Sequence, residues 1–133
     1  MRRVTITLLA VLVFGCARKS APLKPPVSPP APSGSYALRM GRLTFQRYCQ
    51  TCHGESGAGD GFNAFNLDPR PRDLSDPKFQ TKKSDADLLD AVRRGGGGVG
   101  LTALMPPWGR TLSPREIEQV VRYVRTLRRT GKP

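Results

Sequence analysis

Apolar positions in the 133-residue chain fall into four groups with different spacing. Val4 to Phe14 is an uncharged, mostly apolar run. From about Tyr36 to Thr51, Leu38, Gly41, Leu43, Phe45 and Tyr48 are apolar or small, with Arg39, Arg42 and Arg47 between them, which predicts a first helix. A second helix should start at Ser84, an N-cap with Asp87 three residues on, and run through Leu88, Leu89 and Val92. It should stop at Gly95, the first of four consecutive glycines. The third has the clearest local signals. Ser113 caps, Pro114 takes the first helical position, Glu116 completes a capping box, and Leu112 and Ile117 form a hydrophobic staple. Ile117, Val120, Val121, Val124 and Leu127 then make one apolar stripe, leaving Arg122, Arg125 and Arg129 to the outer surface.

No stretch alternates with the period of a strand, so the expected fold is all-α. Residues 54–83, rich in Gly, Pro and Asp, read as one long loop, and connections of that length usually have a functional reason. Three short helices leave a thin core for a domain of roughly a hundred residues, and such domains often need a staple or cofactor. A large apolar prosthetic group would supply the missing interior.

The N-terminal run follows Arg2 and Arg3 and is shorter than the roughly 20 residues a bilayer span needs. Basic flank, short apolar run and small-residue end come in the order of an export signal. "VFGC", Val13 to Cys16, resembles the lipobox of bacterial lipoproteins. The resemblance implies a signal peptide over residues 1–15 and acylation of Cys16 as the new N-terminus. An ordinary signal peptide would instead leave Cys16 as an odd free thiol. Residues 17–35 contain six prolines and no core-forming pattern, and read as an extended, semi-rigid stalk. The expected organisation is therefore signal 1–15, lipidated linker 16–35 and folded domain 36–133.

Chemistry concentrates in "YCQTCHG", residues 48–54, which holds two of three cysteines and the one histidine. Structural zinc wants four ligands, and only Cys16 remains to complete Cys49, Cys52 and His53. A redox dithiol normally follows a strand, and none precedes this pair. C-x-x-C-H is also the attachment signature of c-type haem. On a helical turn the two sulfurs point to one side, where they can add to the vinyl groups along one porphyrin edge. His53 is then carried beneath the ring as proximal ligand. Without a second histidine, bis-histidine ligation is impossible, and the three methionines are the candidates for a sixth ligand. Met1 leaves with the signal, and Met40 shares the first helix with Cys49 and reads as packing. Met105, in "LMPPWG", lies on an extended segment stiffened by Pro106 and Pro107, and is the candidate axial ligand.

These segments together resemble a class I c-type cytochrome domain over residues 36–130. Gly41, Phe45, Cys49, Cys52 and His53 match its first helix and haem motif. "LLDAVRRGGGGVG" is similar to its middle helix and glycine turn, "MPPWG" to its methionine segment and "VVRYVRTL" to its closing helix. The resemblance implies a cytochrome c fold around one haem c bound through Cys49 and Cys52, with iron held by His53 and Met105. It also implies that Gly41 lets the last helix cross near Val120 and Tyr123 with Phe45 beside them. A prolyl carbonyl, that of Pro69 or the nearby Pro71, would accept the second ring N–H of His53.

Other stretches say less. Gly95 to Gly98 lack the Lys-Ser/Thr and the preceding strand of a phosphate loop, and read as a turn. Trp108 either lines the pocket or packs, and Arg70 and Arg72 either meet a propionate or are solvated. No paired carboxylates suggest acid–base catalysis.

The formal charge is +12, and residues 36–133 carry 17 basic against 10 acidic side chains. An exported chain does not meet nucleic acid, so the expected partners are anionic lipid or acidic patches on redox proteins. The reading is a lipid-anchored monohaem cytochrome c, not an enzyme, carrying single electrons at the outer face of a bacterial membrane or in the periplasm. The alternatives are a fixed haem c relay subunit of a membrane redox complex, or a haem-based ligand sensor.

Overall fold

A first helix, α1, spans Gly34–Tyr48 and leads directly into a short α2, Gln50–His53. The computed structural model describes residues 34–130, so the expectations for residues 1–15, for Cys16 and for the linker up to residue 33 lie outside the described residues. A 3-10 turn at Ala64–Asn66 follows, then α3, Pro77–Lys82, α4, Asp85–Gly98, and α5, Pro114–Thr126. Among the described residues there is no strand, and no helix is long and apolar enough to cross a membrane.

The principal packing is α1 across α5. Gly41 meets the Gln119 carbonyl and Tyr123, leaving no room for a side chain, and Phe45 packs at a tilt against Tyr123 with ring centroids 5.4 Å apart. The face of α1 that is buried carries Ala37, Gly41, Thr44 and Phe45. Leu38 and Leu43, counted as inward by spacing, are instead 38% and 52% exposed. The reason is that close approach of α5 needs small residues, and the bulkier leucines rotate outward. Phe45, Leu88, Val120, Val121 and Val124 form the core, with Leu74, Phe79, Leu89 and Val92 packed against it.

Both capping boxes form. The Ser84 hydroxyl accepts from the Asp87 N–H, and the Asp87 carboxylate accepts from the Ser84 N–H at 2.9 Å. Ser113 and Glu116 do the same on α5, over a staple of Leu112 and Ile117 that is fully buried. Regular helix in α4 ends before Gly95, which turns to φ 70° and ψ 176°; one further turn completes Gly96 to Gly98.

The long loop is more structured than its composition suggests. α3 starts on Asp76, whose carboxylate accepts from the Lys78 N–H at 3.0 Å, with Pro77 in the first position. That cap-proline start is the device used at Ser113 and Pro114; the reading of residues 54–83 as one loop passes over "SDPKF", although it carries the same signal. Arg125, expected on the open surface, holds α3 to α5. Its guanidinium donates to the Gln80 carbonyl at 2.7 Å, Gln80 Oε1 at 2.9 Å, the Lys83 carbonyl at 2.6 Å and Asp85 at 2.7 Å. The Gln80 amide in turn donates to the Leu74 and Val124 carbonyls.

Candidate haem-binding site

Cys49, Cys52 and His53 occupy one turn at the end of α1. The Cys52 and His53 N–H groups donate to the Cys49 carbonyl at 3.2 and 2.9 Å, which closes one helical turn carrying both thiols and the imidazole. Neither cysteine is in a disulfide, and both are half-buried. Gly54 then takes φ 79°, where a Cβ would run into Asp60, and the loop folds back over the turn. Gly59 N–H donates to the His53 carbonyl at 2.8 Å, Gly61 N–H to Cys52 at 3.2 Å and Asn63 N–H to Thr51 at 2.9 Å.

This wrapping places the acceptor for His53. Leu74 N–H donates to the Gly57 carbonyl at 2.7 Å, and the Pro71 carbonyl packs against the bare Cα of Gly59. Residues 71–74 therefore run along residues 57–59, and His53 Nδ1 meets the Arg72 carbonyl at 3.1 Å. The expectation of a prolyl acceptor is corrected. Pro69 lies upstream and exposed, the Pro71 carbonyl is taken up against Gly59, and the next carbonyl along is the one that faces the ring. A backbone carbonyl only accepts, so Nδ1 carries the hydrogen and Nε2 keeps its lone pair. Burial lowers the His53 pKa, opposed by that hydrogen bond, and the ring stays a neutral base suited to a metal.

The thiols carry a second message. Burial, and then the charge of Cys52, pushes Cys49 up to about 12. A thiolate nucleophile needs a depressed pKa, so the Cys49 thiol is not poised as one. Among the described residues no group of three or more His, Cys, Asp or Glu is placed to hold a metal ion.

Met105 is half-buried, on a segment tied along the end of α4. Its carbonyl accepts from Gly96 N–H at 2.9 Å, while Trp108 and Gly109 N–H groups donate to Val92 and Arg93 at 3.0 Å each. Trp108 packs on Tyr48, with ring centroids 5.2 Å apart and planes at 56°, linking the residue before Cys49 to the methionine segment. Met40 stays on α1, half-buried. Arg70 lies over the Phe65 ring at 5.0 Å and Arg72 over Phe79 at 6.0 Å, so neither guanidinium is simply solvated. A tie that sequence reasoning missed holds the second half of the loop: Asp73 accepts from the Ser75 N–H and pairs with Arg129 at 2.9 Å.

The donor set fits a c-type haem: two free thiols, one imidazole nitrogen held with its lone pair free, and a soft thioether on a restrained segment. Nearby loops also leave large apolar side chains uncovered, with Phe62 85%, Phe65 68% and Leu101 68% exposed.

Fold and donor set together define a small all-α c-type-cytochrome-like, haem-binding domain. The chain belongs to the family described as cytochrome c oxidase, cbb3-type, subunit III, which matches residues 37–124. It is 34% identical over 97 residues to the cbb3-type cytochrome c oxidase subunit FixP of Azorhizobium caulinodans, covering 73% of this chain and 29% of that protein. It is 32% identical over 101 residues to the dehydrogenase subunit of a quinone alcohol dehydrogenase of Acetobacter aceti, covering 74% of this chain and 12% of that one. Among solved structures, the c-type cytochrome KustC0563 matches with a TM-score of 0.56 at 25% identity, over 67% of this chain and 98% of its own. The chain thus spans less than a third of the curated relatives it matches.

Proposed function

We propose that this protein is a monohaem c electron relay of a membrane-bound redox complex. Cys49 and Cys52 would hold the haem covalently, and His53 Nε2 and the Met105 thioether would ligate its iron. So held, the haem supplies a one-electron ferric–ferrous couple. The chain's own part is to orient and shield. The Arg72 carbonyl fixes the imidazole, the Gly95–Gly96 corner restrains Met105, and the α1–α5 pair carries the haem-binding turn. With His53 and Met105 both committed as ligands, the protein would carry electrons and catalyse no bond chemistry.

The observation that carries the reading is the commitment of His53 Nδ1 to Arg72, directly after two unpaired cysteines on the same turn. The membership of an oxidase-subunit family favours a fixed relay over the freely shuttling carrier that the proline-rich linker suggested. Export, acylation of Cys16 and the division at residues 1–15, 16–35 and 36–133 belong to the same proposal: a domain on a stalk, held at the outer face of a bacterial membrane. Its redox partners would present acidic patches to a domain rich in Lys and Arg.

The test is the oxidised absorption spectrum and intact mass of the full chain, made in a host that attaches haem c. A low-spin c-type spectrum with the weak far-red methionine-to-iron band, and a mass including haem and acyl groups, is expected. Haem without that band opens the distal position and moves the function toward ligand binding. A protein of bare polypeptide mass defeats the proposal.

A further inference from the structure

We infer that Gly95 and Gly96 are positioning residues for the axial ligand, forming a seat that only glycine can provide for the backbone of Met105. The inference rests on the reading of Met105 as ligand and adds the part of the chain that aims it.

The geometry at the two positions is backbone against backbone. A Cβ on Gly95 would lie 2.7 Å from the Met105 carbonyl oxygen, 2.7 Å from Pro107 N and 2.8 Å from the Pro106 carbonyl carbon. Gly95 also sits at φ 70°, a region other residues avoid. A Cβ on Gly96 would enter the Thr102 carbonyl. None of these neighbours is the end of a flexible side chain. A methyl group at either position can be admitted only by moving the segment that carries Met105.

The seat also holds on by hydrogen bonds. Gly96 N–H donates to the Met105 carbonyl at 2.9 Å, and Gly96 accepts from Leu101 N–H at 2.9 Å, closing the intervening loop on the same residue. Pro106 and Pro107 have no N–H to offer, so within Met105 to Pro107 the tie to α4 runs through the Met105 carbonyl. Gly97 is the built-in control. A Cβ there would make ordinary contact with Ala103 at 3.6 Å. The four glycines are therefore not equivalent: two make a seat, and Gly97 merely borders it.

The experiment compares wild type, Gly95→Ala, Gly96→Ala, Gly97→Ala and Met105→Ala as full-length holoproteins, by far-red absorption, carbon monoxide binding when reduced, and reduction potential. Loss of the far-red band, gain of carbon monoxide binding and a lower potential are expected in G95A and G96A, as in M105A, with covalent haem retained and G97A like wild type. If wild type lacks the band, the ligand reading and this inference fall together. If wild type shows it and M105A loses it, but G95A and G96A keep it at wild-type potential, the inference alone is overturned. Should both variants fail to mature, wild type decides. On warming, hydrogen exchange at the Gly96 amide should rise as the band bleaches and before global melting. Bleaching with that amide still protected overturns the seat.

Discussion

A Cβ on Gly41 would enter the Gln119 carbonyl and press to 3.0 Å from the Tyr123 Cβ, so Gly41→Ala must push α5 away from α1. Overpacking of this kind destabilises by about 1–3 kcal/mol. A thermal melt should fall by several degrees, and an unchanged melt would mean the helices slide freely. The capping boxes act at the same scale through pH. Hydrogen bonds from the Ser113 side chain and backbone hold the Glu116 carboxyl below its ordinary pKa, with burial opposing. A depressed carboxyl contributes stability above its unfolded pKa and loses it as pH falls through the folded one. Wild-type stability should thus begin to drop below about pH 4. Glu116→Gln should be less stable at neutral pH and show a flatter acid limb, read from melts between about pH 2 and pH 7. An acid limb unchanged in E116Q would remove the box from the account.

At the scale of elements, α3 is the piece that tertiary contacts hold in place, since a six-residue helix is too short to be stable alone. Arg125 spans three acceptor residues that a lysine ammonium cannot reach together. Arg125→Ala should lower stability by about 2–3 kcal/mol, with amide exchange rising first in α3 and α1 unaffected. Arg125→Lys should recover only part. Uniform loss of protection through all helices would refute the clamp. The same residue shows where sequence reading ends. Starts at Ser84 and Ser113 were legible because a cap and its partner lie three residues apart. Arg125 looked like a surface charge because its acceptors sit some forty positions away. Leu38 and Leu43 misled because helical spacing gives a face only when the neighbour is known, and here α5 chose the small residues. The turn that carries Cys49, Cys52 and His53 was legible as a pattern. The acceptor of His53 was not, since it depends on how Pro71 lies against Gly59.

For the whole molecule the open question is how the domain is kept beside its partner, and charge gives a way to ask it. Residues 36–133 carry 17 basic and 10 acidic side chains, and the ion pairs of Arg94, Arg125 and Arg129 each take one charge of either sign, so the basic excess is left untouched. An association steered by this excess weakens as the Debye length shortens, from about 10 Å at 0.1 M salt to about 3 Å at 1 M. A shuttling carrier docks by such contacts alone, so after detergent extraction it should leave the complex as salt rises. A relay subunit is also held by buried apolar contacts, which salt does not screen and whose candidates here are the exposed Phe62, Phe65 and Leu101. The expected outcome is co-purification with a membrane redox complex that survives 1 M salt, roughly the point where steering is screened out, while the rate of electron delivery by a soluble donor falls. Release of the domain at that salt with no loss of its haem would return the protein to the role of mobile carrier. A delivery rate indifferent to salt would remove steering and leave the basic surface without a part in docking.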